Sequence, residues 1–201
     1  MDCNISPVNN CKYLGIYLDN KLTFNDHIKY VNSKISRHTG ILYKIRDHLP
    51  IKTRLDYYYA YIYPYLSYNV IIWGGTYPIH LQPLIIQQKR TIRTICNAGY
   101  RDHTDPLFKR LNLLKFHDIY NYQLGTYMFH ARKRGEYATQ SNIHTRGTNL
   151  ARSVYHRIPL TQHAVSYTGP TYWNTLPDYL RTIDSFKRFK RALREYLLGK
   201  Y

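Results

Sequence analysis

The carboxylates of this chain are the first residues to test for chemistry, because paired acids hold the metal ions of phosphoryl transfer. Two-metal catalysis needs carboxylates that hold two cations about 4 Å apart. The twelve Asp and Glu residues are scattered along the 201-residue sequence, and no Asp-Asp pair falls on a predicted hairpin. His103-Thr104-Asp105 and His117-Asp118 have the residue types of acid–base pairs, but Asp105 and Asp118 are better explained as first-turn residues of helices. We therefore expect no catalytic centre, and no enzymatic activity of the chain alone.

Cofactor motifs are the second test. The sequence contains no glycine-rich phosphate loop, no GxSxG elbow and no HExxH helix. Cys3, Cys11 and Cys96 show neither CxxC spacing nor the Cys/His spacing of a zinc knuckle. We expect no metal or other cofactor in this chain. The absence of a disulfide framework favours an intracellular compartment, either nucleus or cytoplasm.

Positive charge is the strongest compositional signal. Lys and Arg total 29 against 12 acidic residues, a net charge of +17 with the ten histidines neutral. Such an excess favours polyanions, because each phosphate that Lys or Arg neutralises releases condensed counterions. The 23 tyrosines add flat faces for stacking, although many of them are expected on half-exposed helix surfaces. Charge also keeps a protein soluble, so a helical scaffold with incidental basic charge is an alternative.

The positions of these charges depend on the secondary structure, which begins with a predicted strand and a long helix. Alternation of Leu14, Ile16 and Leu18 predicts a strand that ends at Asp19-Asn20, and residues 1–22 offer it no partner, which suggests a sheet upstream. A long helix is predicted from an N-cap at Thr23 to about Leu49. Its apolar seam repeats every seven residues and consists of Ile28, Ile35, Leu42 and Leu49, with Val31 and Ile45 between them.

A second helix is predicted from Lys52 to about Trp73, with a kink at Pro64. The uncharged stretch 57–79 has the length of a membrane span, but its proline, glycines and many tyrosines argue against one. A third helix, from about Leu81 to Cys96, is amphipathic. We expect a buried second helix and no membrane partner.

The remaining sequence predicts a helix up to about Leu114, another from Phe116 to about Arg134, and loops with short strands from Gly135 to Pro177. The last helix has a sharp apolar side formed by Phe186, Phe189, Leu193, Tyr196 and Leu197. The predicted fold is mainly α, a helical bundle with one or two short N-terminal strands and a loop-rich C-terminal portion. We divide it into residues 1–22, 23–134 and 135–201.

Basic side chains opposite the apolar seams are the candidate nucleic-acid-binding residues. They would hold a phosphate backbone without reading bases. The predicted contacts are Lys89, Arg90 and Arg93 on the third helix, Lys187, Arg188, Arg191 and Arg194 on the last, Arg37 and Lys44 on the first, and Arg146 in the loop region.

Six ordered segments carry a family resemblance. They are KYLGIYLDNKLTFNDHI (12–28), YPYLSYNVIIWG (63–74), QQKRTIRTIC (87–96), HTDPLFKRLNLLKFHDIYNYQLGTYMF (103–129), HTRG (144–147) and SYTGPTYWNTLPDYL (166–180). Together they resemble the region after the palm in reverse transcriptases of non-LTR, LINE-type retrotransposons of the Jockey- and RTE-like kind.

The resemblance implies that residues 14–16 are similar to the last palm segment, beside the primer grip, and that the helices after Thr23 are similar to a thumb that rests on the template–primer duplex. It also implies an upstream polymerase core with paired, Mg²⁺-binding aspartates, and a C-terminal region that engages RNA or target DNA. Some relatives carry a CCHC knuckle, which this sequence lacks. The expected function is binding of an RNA or RNA–DNA duplex within such a polymerase. The alternative is a standalone RNA-binding protein from a domesticated or decayed element.

Overall fold

A computed structural model describes residues 8–136, 151 and 162–201. In these ranges the fold is mainly α, as predicted. The strands are β1 (Asn10–Tyr13) and β2 (Ile16–Asp19). The helices are α1 (Asn25–Ile45, continued by a 3-10 turn over Arg46–His48), α2 (Ile51–Tyr61), α3 (Tyr63–Ser67), α4 (Val70–Trp73), α5 (Pro78–Cys96), α6 (Asp105–Arg110), α7 (Phe116–Lys133), α8 (Val165–Thr175), α9 (Asp178–Arg181) and α10 (Phe186–Leu198).

The N-terminal strand has a partner within the chain, so the prediction of a lone strand was wrong. β1 and β2 form an antiparallel hairpin in which Tyr13 faces Ile16. Leu14 and Gly15 make the turn with φ of 44° and 81°, the left-handed conformation that fits the twist of a two-residue hairpin. Leu14 therefore lies in the turn and is exposed, whereas Ile16 is buried.

The start of α1 differs from the prediction in one residue role. Thr23 is not the N-cap, since Phe24 occupies that position with φ of 57° and α1 begins at Asn25. The Asp19 carboxylate organises this turn by accepting hydrogen bonds from the backbone N–H groups of Lys21, Thr23 and Phe24. Burial alone would raise the pKa of Asp19, but these hydrogen bonds outweigh it and lower the pKa.

The predicted second helix is divided into α2, α3 and α4. Pro64 lies in the first turn of α3, and Asn69 adopts a left-handed φ of 45° before α4. Despite these breaks one apolar face continues through the segment, where Tyr58, Ile62, Leu66, Val70 and Trp73 are fully buried. Across residues 8–136 and 162–201, no helix combines the length and the apolar character needed to cross a bilayer.

The C-terminal residues pack on α7. Loops were predicted up to Pro177, but Val165–Thr175 is a helix even though it contains Pro170. Its packing explains the difference, because a Cβ on Gly169 would lie 2.7 Å from the sulfur of Met128 in α7. Tertiary contact of this kind outweighs a weak helix propensity.

The apolar side of α10 is confirmed. Phe189, Leu193 and Leu197 are fully buried, and the Phe189 ring stacks on Phe129 of α7 at 4.8 Å between centroids. Gly125 of α7 permits the close approach of α10, since a Cβ at Gly125 would lie 2.8 Å from the Leu193 side chain. One hydrophobic core therefore includes residues from β2 to α10.

Candidate nucleic-acid interface

A groove between α1 and α5 brings four basic side chains around one concave surface. Its volume is about 680 Å³. We call it the basic groove. It is lined by Ser36, Thr39, Gly40, Tyr43, Lys44, Arg46, Gln87, Arg90, Arg93, Thr94, Ala98, Gly99 and Tyr100.

Small polar residues bring the two helices together beneath the groove. The Thr39 hydroxyl of α1 and the Thr91 hydroxyl of α5 share a hydrogen bond of 2.7 Å. Each hydroxyl also bonds to a carbonyl in its own helix, that of Ile35 or Gln87, so burial leaves neither unsatisfied. Gly40 adds no side chain to the groove, and a Cβ built there would contact nothing within 4 Å. The groove is therefore open above a tightly packed base.

A buried amide supports α5 from its other side. Gln88 donates hydrogen bonds to the Tyr58 hydroxyl and the Leu114 carbonyl, at 3.2 and 3.0 Å, and accepts one from the Phe116 backbone N–H at 2.8 Å. These contacts connect α5 to α2 and to the start of α7. Because an amide fixes both donor and acceptor directions, Gln88 restrains the rotation of α5, which carries Arg90 and Arg93.

Four cations from three elements converge on the basic groove. Lys44 comes from α1, Arg46 from the 3-10 turn, and Arg90 and Arg93 from α5. The Arg93 Nε donates to the Asp102 carbonyl at 2.9 Å, which holds the guanidinium in place. Arg46 lies 4.0 Å over the Tyr43 ring, with its Nε 3.6 Å from Asp47.

Two exposed tyrosines flank these cations. Tyr43 is 56% exposed and Tyr100 is 76% exposed. Among the lining residues, all of which lie in the described part of the chain, none carries a carboxylate. The groove thus combines cations with exposed aromatic rings, a combination that nucleic-acid-binding surfaces use.

The structure gathers three of the predicted contacts, Lys44, Arg90 and Arg93, in the basic groove. Arg37 is exposed on α1 and lies outside the lining. Lys89 lies in a separate cleft, where the Lys115–Asp105 ion pair of 3.0 Å supplies charge of both signs. Arg146 lies outside the described residues.

The cations of α10 are arranged differently. Lys187, Arg188 and Arg191 are exposed along the outside of the helix, and we call them the terminal face. Arg191 lies 4.0 Å from Glu195 on the same helix. Arg194 is half-buried and donates to the Asn112 carbonyl at 2.6 Å, so it joins α10 to the α6–α7 connection.

Sequence reasoning missed Arg46, Tyr43 and Tyr100 of the basic groove. An ideal α-helix would place Arg46 on the side of the apolar seam, but the change to a 3-10 turn at Arg46–His48 redirects it. Nothing in the sequence distinguishes Tyr43 from the other tyrosines, of which the chain has 23 in all. Tyr100 reaches the groove through the loop after α5. The cation-rich end of the first predicted helix was the available signal for Arg46.

The two acid–base candidates lie at helix starts, as predicted. Asp105 is in the first turn of α6 and Asp118 in the first turn of α7. The Asp118 carboxylate accepts a hydrogen bond of 2.7 Å from the Tyr201 hydroxyl and so holds the C-terminus. Over residues 8–136, 151 and 162–201, the His, Cys, Asp and Glu side chains form no group of three or more that would hold a metal ion.

Comparison with curated proteins identifies relatives among mobile elements. The chain is 31% identical over 111 residues to the RNA-directed DNA polymerase from mobile element jockey of Drosophila melanogaster, a match that covers 53% of this chain and 12% of that protein. It is 27% identical over 117 residues to the probable RNA-directed DNA polymerase from transposon X-element of the same organism, covering 56% and 13%. The jockey polymerase of Drosophila funebris is 26% identical over 118 residues, covering 57% and 13%.

The matches thus span about an eighth of the length of these relatives. No protein-family model matches the chain. No solved structure matches it significantly.

Proposed function

Because about half of this chain is related to RNA-directed DNA polymerases of non-LTR retrotransposons, we propose that it is a nucleic-acid-binding part of such a polymerase. In this proposal the basic groove holds the phosphate backbone of an RNA–DNA or RNA duplex. The observation that carries the proposal is the convergence of Lys44, Arg46, Arg90 and Arg93 on one concave surface whose lining contains no carboxylate.

The chemistry of the groove favours backbone contact over base readout. Lysine and arginine neutralise phosphates and release counterions, which supplies affinity without sequence preference. Arg93 is already oriented by its bond to the Asp102 carbonyl, so little side-chain freedom is lost when it binds an anion. The Tyr43 and Tyr100 rings offer flat surfaces to the sugars and bases beside the phosphates.

Further parts of the proposal concern partners. The terminal face, together with Arg37, Lys89 and the sequence-predicted Arg146, would provide secondary contacts to the same duplex or to target DNA. Metal-dependent polymerisation would belong to a polymerase core outside this chain. Arg194 has a structural role in this scheme, since it bonds to Asn112.

A salt titration tests the proposal. The joint change Lys44→Gln and Arg90→Gln removes two exposed cations from the basic groove, and Arg188→Gln with Arg191→Gln removes two from the terminal face as a matched control. We expect the groove variant to reduce the slope of log affinity against log salt by about 0.9 for each phosphate that the protein no longer neutralises. The control should reduce it less.

Both variants should melt like the parent protein, because their side chains lie on the surface. Affinity should fall alike for duplexes of unrelated sequence. An unchanged slope and affinity in the groove variant would overturn the proposal and favour the basic groove as a protein-docking or merely solvated surface.

A further inference from the structure

On a different side of α1 from the one that lines the basic groove lies a group of aromatic rings. It consists of Tyr30, His38, Tyr57, Tyr61, Tyr65 and Tyr68, contributed by α1, α2, α3 and the residue after α3. We call it the aromatic strip.

Four rings of the strip, those of His38, Tyr57, Tyr61 and Tyr65, are linked by ring contacts. Tyr57 and Tyr61 have centroids 4.8 Å apart, and Tyr61 stacks on His38 at 5.5 Å with an interplanar angle of 23°. His38 then lies 6.0 Å from Tyr65. A hydrogen bond of 3.1 Å between His38 Nδ1 and the Tyr57 hydroxyl fixes the ring orientations. The rings are thereby preorganised as a stacking surface.

The strip ends in a cavity of about 350 Å³ beside the hairpin turn, large enough for a nucleobase. Tyr30, Tyr65 and Tyr68 contribute rings to its walls, and Gly15 of the turn lines it beside Tyr68. The Tyr68 hydroxyl donates to the Leu14 carbonyl at 2.8 Å, which holds the turn against the ring.

His27 also lines this cavity and is only 3% exposed. Its Nδ1 has no hydrogen-bond partner among the residues that the structure describes. Burial lowers the pKa of His27 to about 4, so the imidazole is neutral at physiological pH. A neutral ring in an aromatic wall accommodates a flat heterocycle without the cost of desolvating a charge.

Cations border the rings. Lys34 Nζ lies 5.3 Å from the centroid of Tyr30, and Lys12 Nζ lies 5.3 Å from that of Tyr17 and 6.0 Å from that of Tyr30. The nearby Asp26 carboxylate is already engaged by Lys29 at 3.3 Å and by the Asn10 amide at 2.8 Å. The margin of the strip is therefore suited to an anionic backbone.

Exposure separates the strip from the tyrosines of the core. Tyr58 is fully buried, whereas Tyr61 and Tyr68 are each 51% exposed. Stacking platforms with a positive margin are the form that single-strand binding sites take, because every base has a ring face to stack.

We propose that the aromatic strip binds unpaired nucleotides that extend from the duplex held in the basic groove, with one base inserted in the cavity beside Gly15. This inference rests on the proposed function, since it assumes a nucleic-acid ligand, and it specifies the substrate as a duplex with a single-stranded extension. A base within a duplex is not available to the strip, so the strip and the groove recognise different parts of one ligand.

The test compares a blunt hairpin duplex with the same duplex carrying a short unpaired extension, using the whole chain and fluorescence anisotropy. We expect the extension to increase affinity by about fivefold or more, the gain typical of stacking one base. Tyr61→Ala should remove that gain, and Tyr61→Phe should keep it because the ring remains. Tyr179→Ala, at a tyrosine that is 58% exposed on α9, is the matched control and should keep the gain.

A fluorescent adenine analogue in the extension gives a second readout. Its emission should be quenched by the parent and by Tyr61→Phe, and less by Tyr61→Ala. The groove variant Lys44→Gln with Arg90→Gln should weaken binding of both ligands while it preserves their ratio.

The outcomes separate the two proposals. Normal binding of both duplexes, with no increase in affinity from the extension, would overturn the proposal for the strip and leave the proposal for the groove standing. Binding of the extended ligand alone would support the strip and overturn the groove proposal. No binding of either would overturn both.

Discussion

The basic groove and the terminal face are similar in sequence and different in space. Apart from Arg46, the cations of both surfaces lie opposite the apolar seams of amphipathic helices. In the groove, cations from α1, a 3-10 turn and α5 converge, and the lining contains no carboxylate. On the terminal face, the cations come from one helix, and Arg188 and Arg191 line a cleft that also contains the Asp184 and Glu195 carboxylates. Convergence from several elements, more than the number of charges, distinguishes a candidate binding site from a solvated helix face.

An exposed ion pair on α10 includes one cation of the terminal face. Arg191 and Glu195 have side chains that are 78% and 71% exposed, and such pairs contribute little stability. The pair nevertheless offsets part of the positive field that a phosphate would meet. The basic groove has a comparable pair, Arg46 with Asp47 at 3.6 Å. The cleft lined by Arg188 and Arg191 also contains the Asp184 and Glu195 carboxylates, whereas no carboxylate lines the basic groove. We therefore expect the terminal face to contribute less to the salt dependence of binding than the basic groove.

The largest expected effect is on stability, and it tests whether the packing of α10 can be weakened without loss of duplex binding by the groove. Phe189→Ala should destabilise the protein by about 3 to 4 kcal/mol, because the fully buried ring packs on Phe129 and Trp173. Below the lowered melting temperature, duplex binding by the basic groove should persist. Thermal melting and a binding titration measure the two effects. Loss of binding while the protein is still folded would show that α10 belongs to the main interface.

A second effect depends on pH and concerns α1, which forms one wall of the groove. His27 packs against Tyr17, Tyr30 and Trp73, and its burial lowers its pKa from the usual 6.5 to about 4. The unfolded chain thus binds this proton more readily than the folded one between those pH values. Neutral, buried His27 therefore makes its full contribution to the free energy of unfolding above about pH 6.5. As the pH falls toward 4, the free energy of unfolding decreases by at most about 3 kcal/mol.

Chemical denaturation at several pH values in that window measures the decrease. His27→Phe removes the titrating group and should flatten the dependence. A pH dependence of equal size in the variant would assign the acid sensitivity to other groups.

The helical fold was predictable from sequence because its seams follow the helix period. Ile28, Val31, Ile35 and Leu42 are buried in α1, and Phe189, Leu193 and Leu197 in α10. The β1–β2 pairing was missed because Leu14, which continues the apolar alternation, adopts a left-handed φ in the turn. α8 was missed because it is stabilised by close packing on α7, which composition does not reveal.

The candidate site was predictable only in part. Lys44, Arg90 and Arg93 were predicted because they lie opposite apolar helix seams, and the structure places them in the groove. The same criterion also selected Arg194, which is hydrogen-bonded to the Asn112 carbonyl. A helical wheel describes one helix at a time, and the groove arises between two. The Thr39–Thr91 contact that brings those helices together is between polar residues that no hydrophobic pattern includes.

Arg194 provides a smaller effect that sharpens the comparison. Arg194→Gln removes the guanidinium that bonds to the Asn112 carbonyl, which should cost about 1 kcal/mol of stability. The salt slope of duplex binding should not change. Arg188→Gln, on the exposed side of the same helix, is the control and should leave the melting temperature unaltered. A reduced salt slope for Arg194→Gln would place this side chain on the nucleic acid.

The smallest expected effect on stability concerns Gly40, which lines the basic groove. Gly40→Ala should stabilise the protein by about 0.5 to 1 kcal/mol, because it restricts the unfolded chain and its methyl group meets open space. Binding should be retained. Gly40→Glu has the same open surroundings but adds a carboxylate among the groove cations, so it should weaken duplex binding. Equal affinity for the two variants would indicate that the duplex does not enter the groove.

Lysine acetylation in the presence and absence of duplex tests the central claim most directly, because Lys44 of the basic groove and Lys187 of the terminal face are both exposed and report from the same sample. Mass spectrometry of the labelled chain gives the reactivity of each residue. We expect saturating duplex to protect Lys44 strongly and Lys187 weakly, with protection lost at high salt. Strong protection of Lys187 with full reactivity of Lys44 would contradict the assignment of the basic groove as the duplex-binding surface.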